Sequence, residues 1–284
     1  MMKKSLTGIF AVAAAAVTSV FSAPSGASAA TFTWDNLTTY EVKDKSTDNS
    51  QVQSLIPQFQ QYVQNEGITI PEDKLNKLDP TKLSLKYDNN IRVWFLNEGA
   101  IYQDQLAYEA IKGSDYQKGL IFNNISCNTS NGANSACQLG ENNGVLDIGD
   151  YVDLGTISGG TQLNFFLKAD GFNNPNGNVY GADATQNPDK LEHVVAYEVD
   201  GYLLLGFEDL YGAAGSTEGG NGNVAADRDF NDVVFLIDFG KGNIATVPEP
   251  ASAIALVGVA SVGLLSLRRR RQKQLNQYTV HSTQ

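Results

Sequence analysis

The amino-acid sequence predicts a mainly β protein, in which a small N-terminal helical segment precedes an antiparallel β-sandwich of the jelly-roll type. Short runs rich in β-branched and aromatic residues recur after residue 87, and clusters of Gly, Asn and Asp separate them. No long helical pattern alternates with these runs, as it would in a parallel sheet. The predicted strands are Ile91–Leu96, Gly119–Ile125, Leu163–Leu167, His193–Glu198, Tyr202–Phe207 and Val233–Phe239.

Residues 1–29 have the pattern of a secretory signal peptide. Lys3 and Lys4 precede an apolar run from residue 9 to residue 21, and Ala27-Ser28-Ala29 offers the small residues that a signal peptidase requires. A buried N-terminal helix is the alternative, but it does not require this order of features. We therefore expect an N-terminal signal helix and export of the chain.

Residues 30–87 form a segment that is predicted to be partly helical. Apolar residues recur at helical intervals between Val52 and Val63. Pro57 interrupts this pattern, so the helix is predicted either to begin near Pro57 or to bend there. Pro71 and Pro80 mark the end of the segment.

Residues 88–242 are predicted to form the sandwich. Asp200-Gly201 is the residue pair that favours a tight hairpin, and it lies between two predicted strands. We expect these two strands to pair directly, which places Glu208 and Asp209 at one end of the sandwich.

The charge of the predicted ectodomain is strongly negative. Residues 31–247 contain 13 Lys and Arg against 30 Asp and Glu, which leaves a net charge of −17. Such a surface repels phosphate backbones, so we expect no nucleic-acid partner and regard cations as the favoured small ligands.

The two cysteines flank a polar loop within the predicted ectodomain. Because export places Cys127 and Cys137 in an oxidising compartment, their spacing predicts a disulfide that closes this loop. A pair of free thiols is the alternative.

The C-terminal tail begins with a linker, residues 243–250, that ends in Pro248, Glu249 and Pro250. Residues 251–267 carry no charge, and as a helix they would span roughly 25 Å, the short end of what a bilayer core requires. A basic tail, residues 268–284, would then lie on the cytoplasmic side. We expect a transmembrane helix here, because a buried core helix would present a polar face. The basic tail opens with Arg268, Arg269, Arg270 and Arg271.

Two acidic segments flank a glycine-rich loop and form the candidate metal site. The first follows a predicted strand, and the second places oxygen-bearing side chains at alternate positions just before the next strand. This spacing lets the side chains turn toward one hard cation while Arg228 and Phe230 point away. Ca²⁺ takes six to eight oxygen ligands, and the two segments can supply most of them. The predicted ligands are Glu208, Asp209, Asp227, Asp229, Asn231 and Asp232.

Three alternatives apply to the same residues. An EF-hand is excluded, because Asp232 replaces the required Gly and an apolar strand pattern replaces the exiting helix. A solvated turn would also favour Asp and Asn, but it does not offset the repulsion between so many carboxylates. A hydrolase would use Glu208 and Asp229 as acid and nucleophile on a polysaccharide.

The tail resembles the PEP-CTERM sorting signal in its Pro-Glu-Pro motif, its apolar segment and its arginine cluster. The resemblance implies an exosortase-type membrane enzyme that recognises the tail during sorting. Residues 272–284 extend beyond the point where tails of this family usually stop.

The acidic segments resemble those of the domain of unknown function 4114, found on secreted bacterial proteins. The resemblance rests on Glu208-Asp209 and on the run from Asp227 to Val234, and it covers about residues 145–239. It implies a β-rich fold and calcium ligation without an established activity.

These observations predict a non-catalytic, calcium-binding protein of the cell surface or extracellular matrix. We expect the membrane to hold it at least transiently through the C-terminal helix, and extracellular polysaccharide is a candidate partner. The alternative function is a secreted polysaccharide hydrolase. His193 is predicted to be a hydrogen-bonded strand residue, and His281 lies in the tail.

Overall fold

The computed structural model describes residues 32–63, 69–71, 75–99, 102–126 and 145–245. The predicted signal peptide, both cysteines, the Pro-Glu-Pro motif, the apolar segment and the arginine cluster lie outside these ranges. The chain divides into two compact units, residues 1–34 and 35–284. In the first, the rings of Phe32 and Trp34 meet edge to face, with centroids 5.6 Å apart. No helix within the described ranges is long and apolar enough to cross a membrane.

Strands dominate the second unit, which confirms the predicted mainly β fold. Its one α-helix is α1 (Val52–Gln60), and two short 3-10 helices lie at Lys45–Thr47 and Pro80–Lys82; these statements cover the described part of the chain. The strands are β1 (Thr38–Thr39), β2 (Asn76–Leu78), β3 (Asn89–Glu98), β4 (Asp104–Lys112), β5 (Asp115–Ile125), β6 (Tyr151–Ile157), β7 (Gln162–Lys168), β8 (Val179–Gly181), β9 (Val194–Val199), β10 (Tyr202–Phe207) and β11 (Val233–Asp238).

The strands form two sheets that pack face to face. One sheet has the order β1-β5-β4-β7-β8, and the other has the order β2-β9-β10-β11-β3-β6. Neighbouring strands pair antiparallel, except for the parallel pair β1 and β5. The prediction of antiparallel sheets is therefore confirmed, and jelly-roll connectivity stays a prediction.

Aromatic side chains fill the space between the sheets. Phe122 of β5 stacks on Phe235 of β11, with ring centroids 5.5 Å apart, and both side chains are fully buried. Phe95 and Phe207 pack on Phe235 from the two neighbouring strands, at 6.4 and 6.2 Å. Burial of this aromatic surface holds the two sheets together.

The predicted Asp-Gly hairpin joins β9 to β10. Val199 pairs with Tyr202, so Asp200 and Gly201 form a two-residue turn. Both have positive φ, at 52° and 89°, as the favoured hairpin turn requires. The turn sets the register that brings Phe207 opposite Val194 at the far end of the pair.

Strand β4 is not predicted by the sequence pattern, because its Gln, Leu, Ala and Glu residues favour a helix. Pairing with β5 on one side and β7 on the other overrides this preference. A two-residue turn at Gly113 and Ser114 joins β4 to β5. Strand β5 therefore begins at Asp115, four residues before the predicted Gly119.

The N-terminal segment differs from its prediction at Pro57. Helix α1 begins at Val52, so the alternative that it begins near Pro57 is wrong. The buried residues Val52, Ile56 and Phe59 anchor one face of the helix, while Pro57 is exposed. On that exposed face, water can satisfy the carbonyl group that lacks an N–H partner. The same segment adds β1 to one sheet and β2 to the other.

The last described residues return to the start of β3. Strand β11 runs from Val233 to Asp238, and the chain then turns so that Ile244 pairs with Leu85. The Ala245 amide donates a hydrogen bond of 2.8 Å to the Ser84 carbonyl. The chain therefore leaves the sandwich at the end opposite Val233.

Replacing Phe235 with Ala tests this account of the core. We expect Phe235→Ala to lower the free energy of unfolding by roughly 3–5 kcal/mol, because it leaves a cavity between three aromatic rings. Phe172→Ala is the matched control, since Phe172 is 49% exposed, and it should change the free energy by less than about 0.5 kcal/mol. Urea denaturation measures both. Equal effects of the two variants would contradict the assignment of the core.

Candidate metal centre

The two acidic segments meet at one end of the six-stranded sheet. Glu208 and Asp209 directly follow β10, and Asp232 directly precedes β11. Because β10 and β11 are antiparallel and Phe207 pairs with Val233, these ends lie side by side. The hairpin from β9 to β10 thus delivers the first segment to the second, as the sequence predicts.

Three carboxylates converge at this end of the sheet. Oxygen atoms of Glu208, Asp229 and Asp232 lie within 4.8 Å of one another. Their exposed fractions are 0%, 2% and 6%. Neither carboxylate oxygen of Glu208 accepts a well-formed hydrogen bond from the described residues, although the Arg228 backbone lies close enough to lower the pKa of this carboxyl group. Because an unsatisfied buried carboxylate is costly, this arrangement favours a bound cation or a proton.

Backbone amides orient the other two carboxylates. The Asp209 amide donates to Asp232 Oδ2 at 2.9 Å, and the Asn231 amide donates to Asp229 Oδ1 at 3.0 Å. The Gly99 amide, just after β3, donates to the Asp232 carbonyl at 2.9 Å. These bonds fix where the carboxylate oxygens of the cluster lie.

The remaining predicted ligands occupy different positions. Asn231 is buried within the loop, whereas Asp227 is exposed and lies outside the group of three. Asp209 is buried and lines a separate polar cavity. The structure therefore brings together Glu208, Asp229 and Asp232 and does not place Asp209 or Asp227 among them.

The loop before β11 has an unusual backbone. Arg228 and Phe230 both have positive φ, at 62° and 63°, although neither is Gly. These two residues alternate with the acidic residues of the loop. Their backbone conformation is strained, and other contacts must offset that strain. Gly206 of β10 allows the loop to approach, since a Cβ atom there would lie 2.4 Å from the Phe230 carbonyl oxygen.

The Arg228 side chain contacts a backbone carbonyl and a neighbouring aromatic ring. Its guanidinium donates to the Glu192 carbonyl and lies 5.1 Å from the centre of the Phe230 ring. Its charge still acts on Glu208 and lowers the pKa of that carboxyl group. One arginine cannot balance three neighbouring carboxylates.

Burial dominates the acid–base properties of the cluster. It raises the pKa of Glu208 to about 8, against the opposing charge of Arg228 and with support from Asp227 and Asp229. Burial and the charge of Glu208 raise the pKa of Asp232 well above its usual range. At neutral pH these groups therefore compete for protons unless a cation stabilises their charged forms.

His193 forms a hydrogen bond with the backbone of Glu208. It is fully buried, and its Nδ1 lies 2.8 Å from the Glu208 carbonyl oxygen. Its Nε2 lies 2.9 Å from Asp189 Oδ2, and its ring stacks on Tyr180 with centroids 3.7 Å apart. His193 lies one residue before β9 instead of within it, and both of its nitrogens have hydrogen-bond partners. It therefore positions the Glu208 backbone.

Asp104 is a buried acidic residue near the site that the sequence pattern does not predict. It is the first residue of β4, on the five-stranded sheet, and its side chain is fully buried. Its charge contributes to the raised pKa of Asp209. Nothing in the sequence near Asp104 indicates this contact, because 105 positions separate the two residues.

These observations define a class of protein: a β-sandwich with a buried acidic cluster at one end whose oxygen atoms suit a hard cation. Residues 157–240 match a family model described as a domain of unknown function (DUF4114), and residues 246–271 match the PEP-CTERM protein-sorting motif. The chain therefore carries a DUF4114 domain and a PEP-CTERM sorting motif, as the resemblance predicts. No curated protein and no solved structure is significantly similar to the chain.

The PEP-CTERM match also indicates how the protein is sorted. The motif indicates an exported protein that passes through the cell envelope and is recognised by an exosortase-type sorting enzyme. The DUF4114 match includes both acidic segments of the candidate metal centre. It does not include Asp104.

The raised pKa values predict how stability depends on pH when divalent cations are removed. A carboxyl group whose pKa is higher in the folded protein stabilises the fold while it is protonated. Its contribution is lost as pH rises from the unfolded value near 4 through the folded value, which is about 8 for Glu208. In chelator, we expect the free energy of unfolding to fall by ~2 kcal/mol or more between pH 5 and pH 8.

Urea denaturation in chelator across this pH range measures the effect. Glu208→Gln should flatten the dependence, because glutamine does not titrate. Buried His193 has a lowered pKa and acts in the opposite direction over the lower part of this range, so the test is the difference between the two proteins. The same pH dependence in the parent and in Glu208→Gln would contradict the assigned environment of the cluster.

Proposed function

We propose that this exported protein is a non-catalytic, calcium-binding component of the cell surface or extracellular matrix. The observation that carries the proposal is the convergence of Glu208, Asp229 and Asp232 within 4.8 Å in a buried site. Glu208 contributes two oxygens that no described residue satisfies. Ca²⁺ would bind these oxygens and offset the repulsion between the three carboxylates.

The chemistry of the ligands favours calcium over zinc. All three converging side chains offer oxygen, and Asn231 adds a buried amide nearby. Zinc prefers Cys and His ligands, but both nitrogens of His193 are already occupied by hydrogen bonds. Backbone carbonyls and water would complete the six to eight oxygens that Ca²⁺ takes. Asp227, at the exposed rim, would contribute charge without direct coordination.

Burial of the carboxylates supports a non-catalytic role. A hydrolase would need Glu208 and Asp229 to reach both sides of a glycosidic bond. The exposed fractions of these residues are 0% and 2%, so a sugar ring has no access to them. A structural cation that holds the loop in place requires no such access.

The proposed location at the cell surface follows from the sorting motif and from the negative charge of the ectodomain. Residues 251–267 would hold the protein in the membrane until the sorting enzyme acts on the tail. The acidic ectodomain would then reach the cell surface, where calcium is available. Contact with extracellular polysaccharide is the proposed role there, with the β-sandwich as the contacting domain.

Calcium should stabilise the protein through the three converging carboxylates. At a free calcium concentration about 100 times the Kd, binding contributes about 2.7 kcal/mol, or roughly 5–10 °C in Tm for a domain of this size. Asp229→Asn should lose most of this shift. In chelator, the same variant should melt at or above the Tm of the parent, because one repelling charge is gone. Thermal unfolding of the full-length protein with calcium and with chelator measures both effects.

Glu218→Gln is the matched control for charge. Glu218 lies in the same loop but is exposed, so its variant should keep the full calcium shift. An unchanged Tm for the parent on addition of calcium would refute the proposed site. So would an Asp229→Asn variant that behaves like the parent.

The hydrolase alternative predicts a different result. Incubation of the full-length protein with soluble bacterial polysaccharides should release no reducing sugar above background, because the carboxylates are buried. Glu208→Gln serves as the control. Turnover in the parent that disappears in Glu208→Gln would replace the non-catalytic proposal with the enzymatic one.

A further inference from the structure

A second group of buried oxygens lies beside the three converging carboxylates. Asp104 begins β4 in the five-stranded sheet, and its Oδ1 accepts a hydrogen bond of 2.7 Å from the Asp170 amide. Its Oδ2 is buried and accepts no hydrogen bond from the described residues. A buried carboxylate oxygen in this state requires a proton or a cation as its partner.

Asp209 brings a similar oxygen from the opposite sheet. Asp209 is 2% exposed, and no described N–H or O–H group donates to its Oδ2. Its carboxyl group instead lies within hydrogen-bonding reach of the Asp104 carboxyl group. This direct contact between two buried carboxyl groups is repulsive when both are charged; burial first, and then the charges of Asp232 and Asp104, raise the pKa of Asp209. Two unsatisfied oxygens from different sheets therefore face a common region.

Asp209 also lines a polar cavity of about 110 Å³. A water molecule occupies about 30 Å³ in the liquid, so a cation with a few waters fits this space. The Tyr102 hydroxyl donates to the Gly220 carbonyl at 2.9 Å across the rim of the cavity. The lining is rich in groups that offer oxygen, including Tyr102, Asp170, Asn174, Asn176, Asn178 and Asn221.

We propose that a second divalent cation of the calcium type binds between Asp104 and Asp209, next to the cation held by Glu208, Asp229 and Asp232. The inference rests on the proposed function, because it extends calcium binding to a second site. The Asp209 amide donates to Asp232 Oδ2, so one residue contacts both groups of ligands. The second cation would join the two sheets at this end of the sandwich.

The site takes a residue from outside the matched family region. Asp104 precedes residues 157–240, whereas Asp209 lies within them. The region that matches the family therefore does not contain the second site by itself. The competing explanation is a proton shared between Asp104 and Asp209, as in other closely spaced carboxyl pairs.

Calcium stoichiometry distinguishes the two explanations. Native mass spectrometry and equilibrium dialysis of the full-length protein with Ca²⁺ should give two ions per chain for the parent. Asp104→Asn should bind one ion and Asp229→Asn should bind one ion. Asp115→Asn is the matched control, because Asp115 is exposed at the far end of the β4–β5 hairpin, and it should bind two.

The failure of this inference is distinct from the failure of the proposed function. A parent that binds one ion, which Asp104→Asn keeps and Asp229→Asn loses, overturns the second site and leaves the first. A parent that binds no calcium overturns both. An unchanged count in Asp104→Asn supports the shared proton instead.

Terbium luminescence gives a second readout if Asp104→Asn folds poorly. Tyr102 lies at the second site and should transfer excitation to Tb³⁺ bound there. Tyr102→Phe keeps both carboxylates, so it should retain two bound ions but lose part of the sensitised emission. Asp209→Asn should lose the same part of the emission. Emission that is unchanged in both variants would overturn the second site.

Discussion

Mutual repulsion between buried carboxylates is the constraint on which this structure depends. Asp104, Glu208, Asp209, Asp229 and Asp232 are all nearly inaccessible to water and lie at one end of the sandwich. Two unit charges 4 Å apart repel by about 1 kcal/mol in water and by about 4 kcal/mol at the effective dielectric of a protein surface. The β-sandwich brings these residues together because its aromatic core fixes the ends of β4, β10 and β11. The folded protein must offset this repulsion, either by protonation of these carboxyl groups or by a bound cation.

The backbone and the neighbouring side chains hold the acidic residues in fixed positions. Two residues with positive φ alternate with the acidic residues before β11, and glycine at position 206 lets the loop lie against β10. His193 is hydrogen-bonded to the Glu208 carbonyl group, and Arg228 donates a hydrogen bond to the Glu192 carbonyl group. Each of these arrangements orients an oxygen or removes a competing contact. Together they fix the positions of the buried carboxylate oxygens.

The sequence predicts some of this arrangement because the deciding forces are local. The Asp-Gly turn fixes the pairing of β9 with β10, and alternation along Asp227, Asp229 and Asn231 marks the second acidic segment. Antiparallel pairing of adjacent strands then brings Glu208 to Asp232. Asp104 could not be predicted, because its strand has a helical composition and becomes a strand only through pairing on both sides. Its partner Asp209 is reached across the core, where residue spacing carries no information.

The sorting motif and the acidic cluster are associated with opposite ends of the sandwich. Ala245 is hydrogen-bonded to Ser84 at the end opposite the carboxylates, and the match to the sorting motif begins at the next residue. A sorting enzyme that recognises this motif therefore engages the protein at one pole, while the acidic pole lies a full strand length away.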